Sequence, residues 1–355
     1  MSTKPLCVCA AGGTGGHINA ALSVGEAYKE KNYDVIYLTG KRHLDYKLFV
    51  SEVVVHLDSR PLRTNNPFTL IKNILLNIKS FFGILILFMK RRPEVIVGAG
   101  GYVCGPSLLA GFMLGIPVFI IEQNAFMGLT NRLLGWISTR IFVHFTKTRG
   151  LSDRLKKKVR VVGNPTRKSI QAISHYPISN PLKILVFGGS LGAKQINDVI
   201  HDLILDPEMN NIEIHHQTGN DQLAPLPVNE TVLYTAMTYI DHIQKEYEWC
   251  DLIIARSGAS TVSELAIIKK PTLIFPFPQA TDNHQFFNAQ IFKEEADFEV
   301  EVLDPKLPKS ESLIKVKEFI KKAKAGQLKL TQNPFGENQA CNLIIKEIEN
   351  HVGIR

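Results

Sequence analysis

Short apolar runs that end in glycine alternate along this chain with segments whose apolar residues recur at helical spacing. This alternation predicts parallel sheets wrapped by helices. Leu6 to Ala11 reads as a strand, Gly12-Gly13-Thr14-Gly15-Gly16-His17 as a loop, and Ala21, Leu22, Val24, Ala27 and Tyr28 as one helix face. Asp34 to Leu38 then completes a strand–helix–strand unit. Val95 to Val97 repeats the opening, with Gly98 to Pro106 as a second glycine loop leading into a helix. Val118 to Ile121 is a strand followed by Glu122-Gln123-Asn124. After Val161-Val162, the run Gly163-Asn164-Pro165-Thr166-Arg167 reads as a hinge.

Beyond the hinge the pattern recurs. Ile184 to Phe187 leads into Gly188-Gly189-Ser190-Leu191-Gly192-Ala193, and strands follow at 213–216, 232–234, 252–255 and 272–275. Ala340, Ile344 and Ile348 mark an amphipathic helix in the tail. The expected fold is α/β, with two Rossmann-like domains facing across a cleft. They cover 1–163 and 164–336, and helix 337–355 packs back on the first domain.

Charge alters the picture in one window. The chain of 355 residues has a formal net charge of +8. Between Asp58 and Glu94 there is no acid, while Arg60, Arg63, Lys72, Lys79, Lys90, Arg91 and Arg92 are all cationic. Pro67 to Met89 reads as a helix with Lys72, Lys79 and Lys90 on one line and Asn73, Asn77 and Ser80 beside it. Ile84 to Met89 is apolar all round, and if only this end is exposed the helix can both pack on the sheet and present an apolar surface. An apolar surface rimmed by cations suits an anionic bilayer, so residues 67–92 are expected to rest on a membrane surface without spanning it. The alternative is a helix buried against the sheet. The uncharged stretch Val95 to Ile121 is long enough to span, but six glycines and two prolines break it into strand, loop, helix and strand. Five cysteines without metal-like spacing point to a reducing, cytoplasmic compartment. Leu6 to Ala11 already reads as the first strand, which leaves no signal peptide ahead of it.

The densest chemistry lies at Ser257 to Glu264. An apolar strand, a turn of small residues and a helix start leave backbone N–H groups and a positive helix end facing one crevice, which suits an anion. Glu264, about one turn further, can accept from a sugar diol. The two together describe a nucleotide diphosphate with its ribose. The other reading is a well-capped helix in which Glu264 is a capping carboxylate. The first glycine loop lacks the Gly-x-Gly-x-x-Gly spacing, and Thr39-Gly40 stands where an adenosine ribose would want an acid. That argues against NAD or FAD, and no cofactor, metal or nucleic-acid partner is expected.

Seven motifs occur in one order along nearly the whole chain, and in that order they resemble the MurG family of glycosyltransferases. They are the loop at 12–17, Gly100 to Pro106, Glu122-Gln123-Asn124, Gly163 to Arg167, Gly188 to Ala193, Arg256 to Glu264, and Asp282 to Asn288. The resemblance implies a glycosyltransferase of the GT-B fold. Such an enzyme inverts at the sugar carbon without a metal, passing N-acetylglucosamine from UDP-N-acetylglucosamine to the muramyl 4-hydroxyl of lipid I to form lipid II. By motif, Thr14, Gly15, Gly16, Asn124, Arg167, Ser190, Ile240, Ala259, Ser260, Thr261, Val262, Ser263, Glu264 and Gln285 would contact the donor. Gly13, Gly100, Gly101 and Tyr102 would face the acceptor pyrophosphate. His17 follows the loop at a helix start, where the dipole disfavours the imidazolium, and is the expected base; Glu122 is the alternative. The family also implies a peripheral position on the cytoplasmic face of the membrane. Ile121, where many members have histidine, and Cys104, in a serine-like place, depart from the pattern. Alternatives of similar pattern are a diacylglycerol glycosyltransferase, a UDP-N-acetylglucosamine 2-epimerase, and a donor-binding subunit without catalysis.

Overall fold

A computed structural model of the chain describes residues 4–170, 178–189, 192–220, 231–331 and 339–353. The chain divides into two compact units, residues 1–168 with 338–355, and residues 169–337.

The first unit opens with β1 (Leu6–Ala10), α1 (Gly15–Glu30), β2 (Asp34–Thr39) and α2 (His43–Leu48). It continues through β3 (Val54–His56), α3 (Pro67–Lys90), β4 (Val95–Gly98), α4 (Cys104–Met113) and β5 (Val118–Glu122). Then come α5 (Leu129–Leu134), β6 (Arg140–Val143), α6 (Asp153–Lys156) and β7 (Val159–Val161). All strands are parallel, in the order β3-β2-β1-β4-β5-β6-β7. The order reverses between β1 and β4, and the carboxyl ends of those two strands are where an open sheet of this kind makes a ligand crevice. Both glycine loops leave the sheet there.

The second unit contains β8 (Leu182–Phe187), α7 (Lys194–Leu205), β9 (Ile212–Gln217), β10 (Val232–Met237), α8 (Ile243–Trp249) and β11 (Leu252–Ala255). It goes on with α9 (Ala259–Ile268), β12 (Thr272–Ile274), α10 (His284–Glu295), β13 (Val300–Val302) and α11 (Lys309–Lys324). Its parallel sheet runs β10-β9-β8-β11-β12-β13, the same plan, with the reversal between β8 and β11. The fold is therefore α/β with two Rossmann-like units. One core cluster lies on one face of the second unit's sheet; two others lie on the opposite faces of the first unit's sheet. The last helix, α12 (Ala340–Val352), belongs to the first unit, where Ile344, Ile345 and Ile348 join a cluster containing Cys7, Cys9 and Val97.

Helix α3 differs from the sequence expectation in which face it buries. Asn66 caps it through Oδ1, which accepts from the N–H groups of Phe68 and Thr69 at 2.9 and 3.2 Å. The polar residues beside the lysine line turn inward: Asn73 Nδ2 donates to Pro61 O at 2.8 Å and Asn77 Nδ2 to Arg60 O at 2.9 Å, while Ser80 is buried. The apolar residues Phe68, Ile71, Ile74, Leu75, Ile78 and Phe82 point out, Phe68 being 82% exposed. The Ile84 to Met89 end is divided, because Ile84 and Phe88 are each only 1% exposed and sit in the core while Ile86 and Met89 are exposed. By length and composition alone α3 is the one helix, among the described residues, that could cross a bilayer. However, Ser80, Ile84 and Phe88 of its carboxy-terminal half are buried, and the helix packs against α4.

Candidate functional site

In the first unit the two glycine loops interlock. Gly12 N–H donates to Gly100 O at 3.3 Å, and Gly13, Gly100 and Gly101 have φ of 93°, 111° and 86°. A side chain at Gly101 would place its Cβ 2.0 Å from Gly12 O, and one at Gly100 would meet the His17 ring at 2.7 Å. Glycine is thus required by contact as well as by dihedral angle. Thr14 is the N-cap of α1, its hydroxyl accepting from His17 N–H at 3.4 Å, and Gly15 and Gly16 form the first turn. His17 Nδ1 lies 3.2 Å from Gly12 O. A carbonyl can only accept, so the proton sits on Nδ1 and Nε2 is the acceptor nitrogen. A Cβ added to Gly13 would lie 3.6 Å from the Tyr102 ring, and burial pushes the Tyr102 phenol pKa up while Arg42 opposes the rise.

Glu122 ends β5 and is 3% exposed. One carboxylate oxygen accepts from the N–H and the amide of Asn124, at 2.9 and 3.3 Å. The other accepts from Gly128 N–H and Asn131 Nδ2, both at 2.9 Å. A carboxylate with both oxygens engaged in this way clamps the loop that follows β5. Asn124 is one of the clamped residues. Arg167 follows Thr166, whose carbonyl accepts from Ser23 of α1 at 2.9 Å, so the hinge motif is tied to the first unit.

In the second unit Gly258 is the N-cap of α9, and Ala259, Ser260 and Thr261 form its half-exposed first turn. Val262 N–H is already spent on Gly258 O at 3.0 Å, the Val262 side chain is buried, and Ser263 Oγ donates back to Ala259 O at 2.7 Å. Of the five expected donor contacts on this helix, Ala259 to Thr261 carry the N–H groups of its first turn, and Val262 N–H and Ser263 Oγ bond within the helix. Glu264 lies beyond the first turn, so it is no capping-box partner; its Oε2 accepts from Tyr247 Oη at 2.9 Å in a buried contact. Ser257 Oγ donates to Gln285 O at 2.7 Å, Asn288 Nδ2 donates to Ser257 O at 3.0 Å, and Gln285 Oε1 accepts from Phe277 N–H at 3.1 Å. These bonds join α10 to the serine turn and leave the Gln285 amide NH2 as its donor. Ile240 lies in the connection between β10 and α8. Ser190 falls outside the described residues.

Sequence reasoning missed three supports. Arg256, buried at the end of β11, donates through Nη1 to Gln195 Oε1, Phe275 O and Pro276 O at 3.0, 3.1 and 3.1 Å. Burial lowers its pKa to about 10. Tyr247 under Glu264 and Asn131 under Glu122 were also unforeseen, because partners 17 and 9 residues apart leave no periodic signal.

The amino-terminal domain of glycosyltransferase family 28 matches residues 7–143, and the carboxy-terminal domain of that family matches residues 183–341. A protein of Francisella philomiragia subsp. philomiragia is 35% identical over 348 residues, covering 89% of this chain and 92% of its own. One of Francisella tularensis subsp. tularensis is 37% identical over 301 residues, covering 80% of each chain. Both are named UDP-N-acetylglucosamine–N-acetylmuramyl-(pentapeptide) pyrophosphoryl-undecaprenol N-acetylglucosamine transferase. The crystal structure of Acinetobacter baumannii MurG superposes with a TM-score of 0.73 at 25% identity, covering 98% of this chain and 99% of that one. With family 28 domains in both units and relatives of that name aligned along four-fifths of the chain or more, this chain belongs to glycosyltransferase family 28, in its MurG branch.

Proposed function

We propose that this protein transfers N-acetylglucosamine from UDP-N-acetylglucosamine to the muramyl 4-hydroxyl of lipid I, forming lipid II for peptidoglycan. The observation that carries the reading is the pairing of two switch-point crevices, one per unit, each built from glycine or serine turns that can hold a pyrophosphate, in a chain whose relatives bear that transferase name. The relatives' names speak against the epimerase and diacylglycerol readings.

In this reading the first turn of α9, with Ser257 to Thr261, takes the donor diphosphate, and Glu264 takes the ribose hydroxyls. Gln285 holds sugar hydroxyls, Ser190 the diphosphate, and the backbone of Ile240 the base. Thr14, Gly15, Gly16, Asn124 and Arg167 reach the donor from the first unit. Gly13, Gly100, Gly101 and Tyr102 receive the acceptor pyrophosphate. His17 Nε2 takes the proton of the muramyl hydroxyl as that oxygen attacks the anomeric carbon. The carbon–phosphate oxygen bond breaks on the opposite face, giving inversion, and the positive end of α9 stabilises the departing UDP.

Incubation with UDP-N-acetylglucosamine and a short-chain lipid I analogue is expected to give a product heavier by one N-acetylhexosamine residue. Transfer to diacylglycerol alone, or conversion of the donor to its 2-epimer, would overturn the assignment.

The outward apolar face of α3, with exposed Phe112 and Met113 of α4, meets the cytoplasmic face of the membrane, and the basic residues of the 59–93 window supply its cationic rim. Charge placed on that face, as Ile71→Glu with Leu75→Glu and Phe82→Glu, is expected to lower binding to anionic vesicles by about tenfold or more. Transfer to a soluble acceptor should persist. Unchanged vesicle binding would exclude α3 as the contact surface.

A further inference from the structure

The loop after β2 carries a cation to the seam between the two glycine turns of the first unit. It passes directly beneath Tyr102: a Cβ on Gly40 would lie 2.3 Å from Tyr102 Oη and 2.9 Å from Asp45 Oδ2. A side chain there would have to displace Tyr102 and Asp45, and the chain emerging from Gly40 presents Lys41 and Arg42. The two cations have different surroundings. Lys41 forms an ion pair with Asp58, which Lys79 shares at 2.9 Å. Arg42 instead donates through Nη1 to Gly13 O at 3.2 Å, and its guanidinium carbon stands 5.1 Å from the centre of the Tyr102 ring.

Both anchors of Arg42 are neutral. The adjacent acid, Asp45, is committed elsewhere, with Oδ2 accepting from Arg42 N–H at 2.8 Å and Oδ1 from Thr39 Oγ1 at 3.1 Å. Among the described residues the Arg42 guanidinium makes no ion pair with a carboxylate. An exposed arginine ordinarily samples solvent. Here a carbonyl of one glycine turn and a ring of the other hold its charge at their junction without neutralising it. A guanidinium has five N–H donors in a fixed fork, so one bond to Gly13 leaves a face able to grip paired phosphate oxygens.

We propose that Arg42 is the side chain that binds the pyrophosphate of the lipid-linked acceptor, supplying the full positive charge that the glycine turns lack. The proposal rests on the reading that those turns receive the acceptor. It gives them a division of labour, in which the backbone N–H groups fix position and Arg42 selects for a doubly charged group.

Steady-state kinetics with a short-chain lipid I analogue test it. Arg42→Gln keeps a donor for Gly13 O and removes the charge. It is expected to raise the acceptor KM by about tenfold or more, with the donor KM unchanged and the salt dependence of acceptor kcat/KM flattened. Arg42→Lys should recover part of the loss. Inorganic pyrophosphate, as a competitor against the acceptor, should inhibit Arg42→Gln more weakly than the unaltered protein. A wild-type acceptor KM in Arg42→Gln, or equal rises in both KM values, would overturn the proposal. Gly13→Ala separates the role of the turns from that of the arginine. If it raises the acceptor KM while Arg42→Gln does not, the turns bind acceptor and Arg42 has no part. If neither variant raises it, the glycine-turn reading fails as well.

Discussion

His17→Ala is expected to lower kcat by about 10²–10⁴-fold, the usual contribution of a positioned general base, while UDP binds as before. The ring is already oriented as a base would need, since Nδ1 donates to Gly12 O at 3.2 Å and Nε2 is left as the acceptor nitrogen. Gly100, with no side chain, leaves the ring the space that a Cβ at 2.7 Å would take. His17→Gln isolates the chemistry, because its amide can replace the donor to Gly12 while offering no basic nitrogen. Turnover with the short-chain acceptor and titration of UDP by calorimetry read the two quantities separately. If kcat and UDP affinity fell by the same factor, His17 would be a positioning residue. The proton would then have to leave by another group, and Glu122, whose oxygens accept from Asn124, Gly128 and Asn131, is the alternative to test by Glu122→Gln.

Glu264→Ala should weaken UDP binding by about 1–3 kcal/mol, roughly 5–150-fold, through loss of hydrogen bonds to the ribose. Glu264 is 7% exposed, and Tyr247 donates to it at 2.9 Å, which fixes the orientation of its carboxyl group. A carboxylate oriented in this way should distinguish a ribose from a 2′-deoxyribose. The affinity gap between UDP and 2′-deoxy-UDP is therefore expected to narrow in Glu264→Ala. UDP affinity equal to that of the unaltered protein would remove Glu264 from the donor site and leave it a support for α8.

The parts of the fold most legible in the sequence were those with enough residues to show a period and a glycine to end them. Strands β1, β2, β4, β8 and β11, with the turns that follow them, are of that kind. Strands β3 and β13, of 3 residues each, and β6, of 4, have no glycine turn directly after them to mark where they end. Helix α3 defeated binary patterning for a different reason. The rule assumes that apolar residues face inward, whereas here Asn73, Asn77 and Ser80 do so, and the apolar side is left outside. Within the site, motif order located the loops, but which atoms of each loop remain able to act was not readable. Val262 and Ser263 share a motif with Ala259 and Thr261, and only the helix hydrogen bonds tell them apart.

The placement of α12 bears on how the protein is made. Ile344, Ile345 and Ile348 fill the same cluster as Cys7 and Cys9 of β1, so β1 waits for a helix that begins at residue 340 before its core is sealed. The second unit, continuous in sequence, can finish folding earlier, against the usual amino-terminal-first order of synthesis. A nascent chain stalled or cut before residue 340 would carry an open apolar groove in the half of the molecule that was translated first, and so would be a natural target for chaperones and proteases.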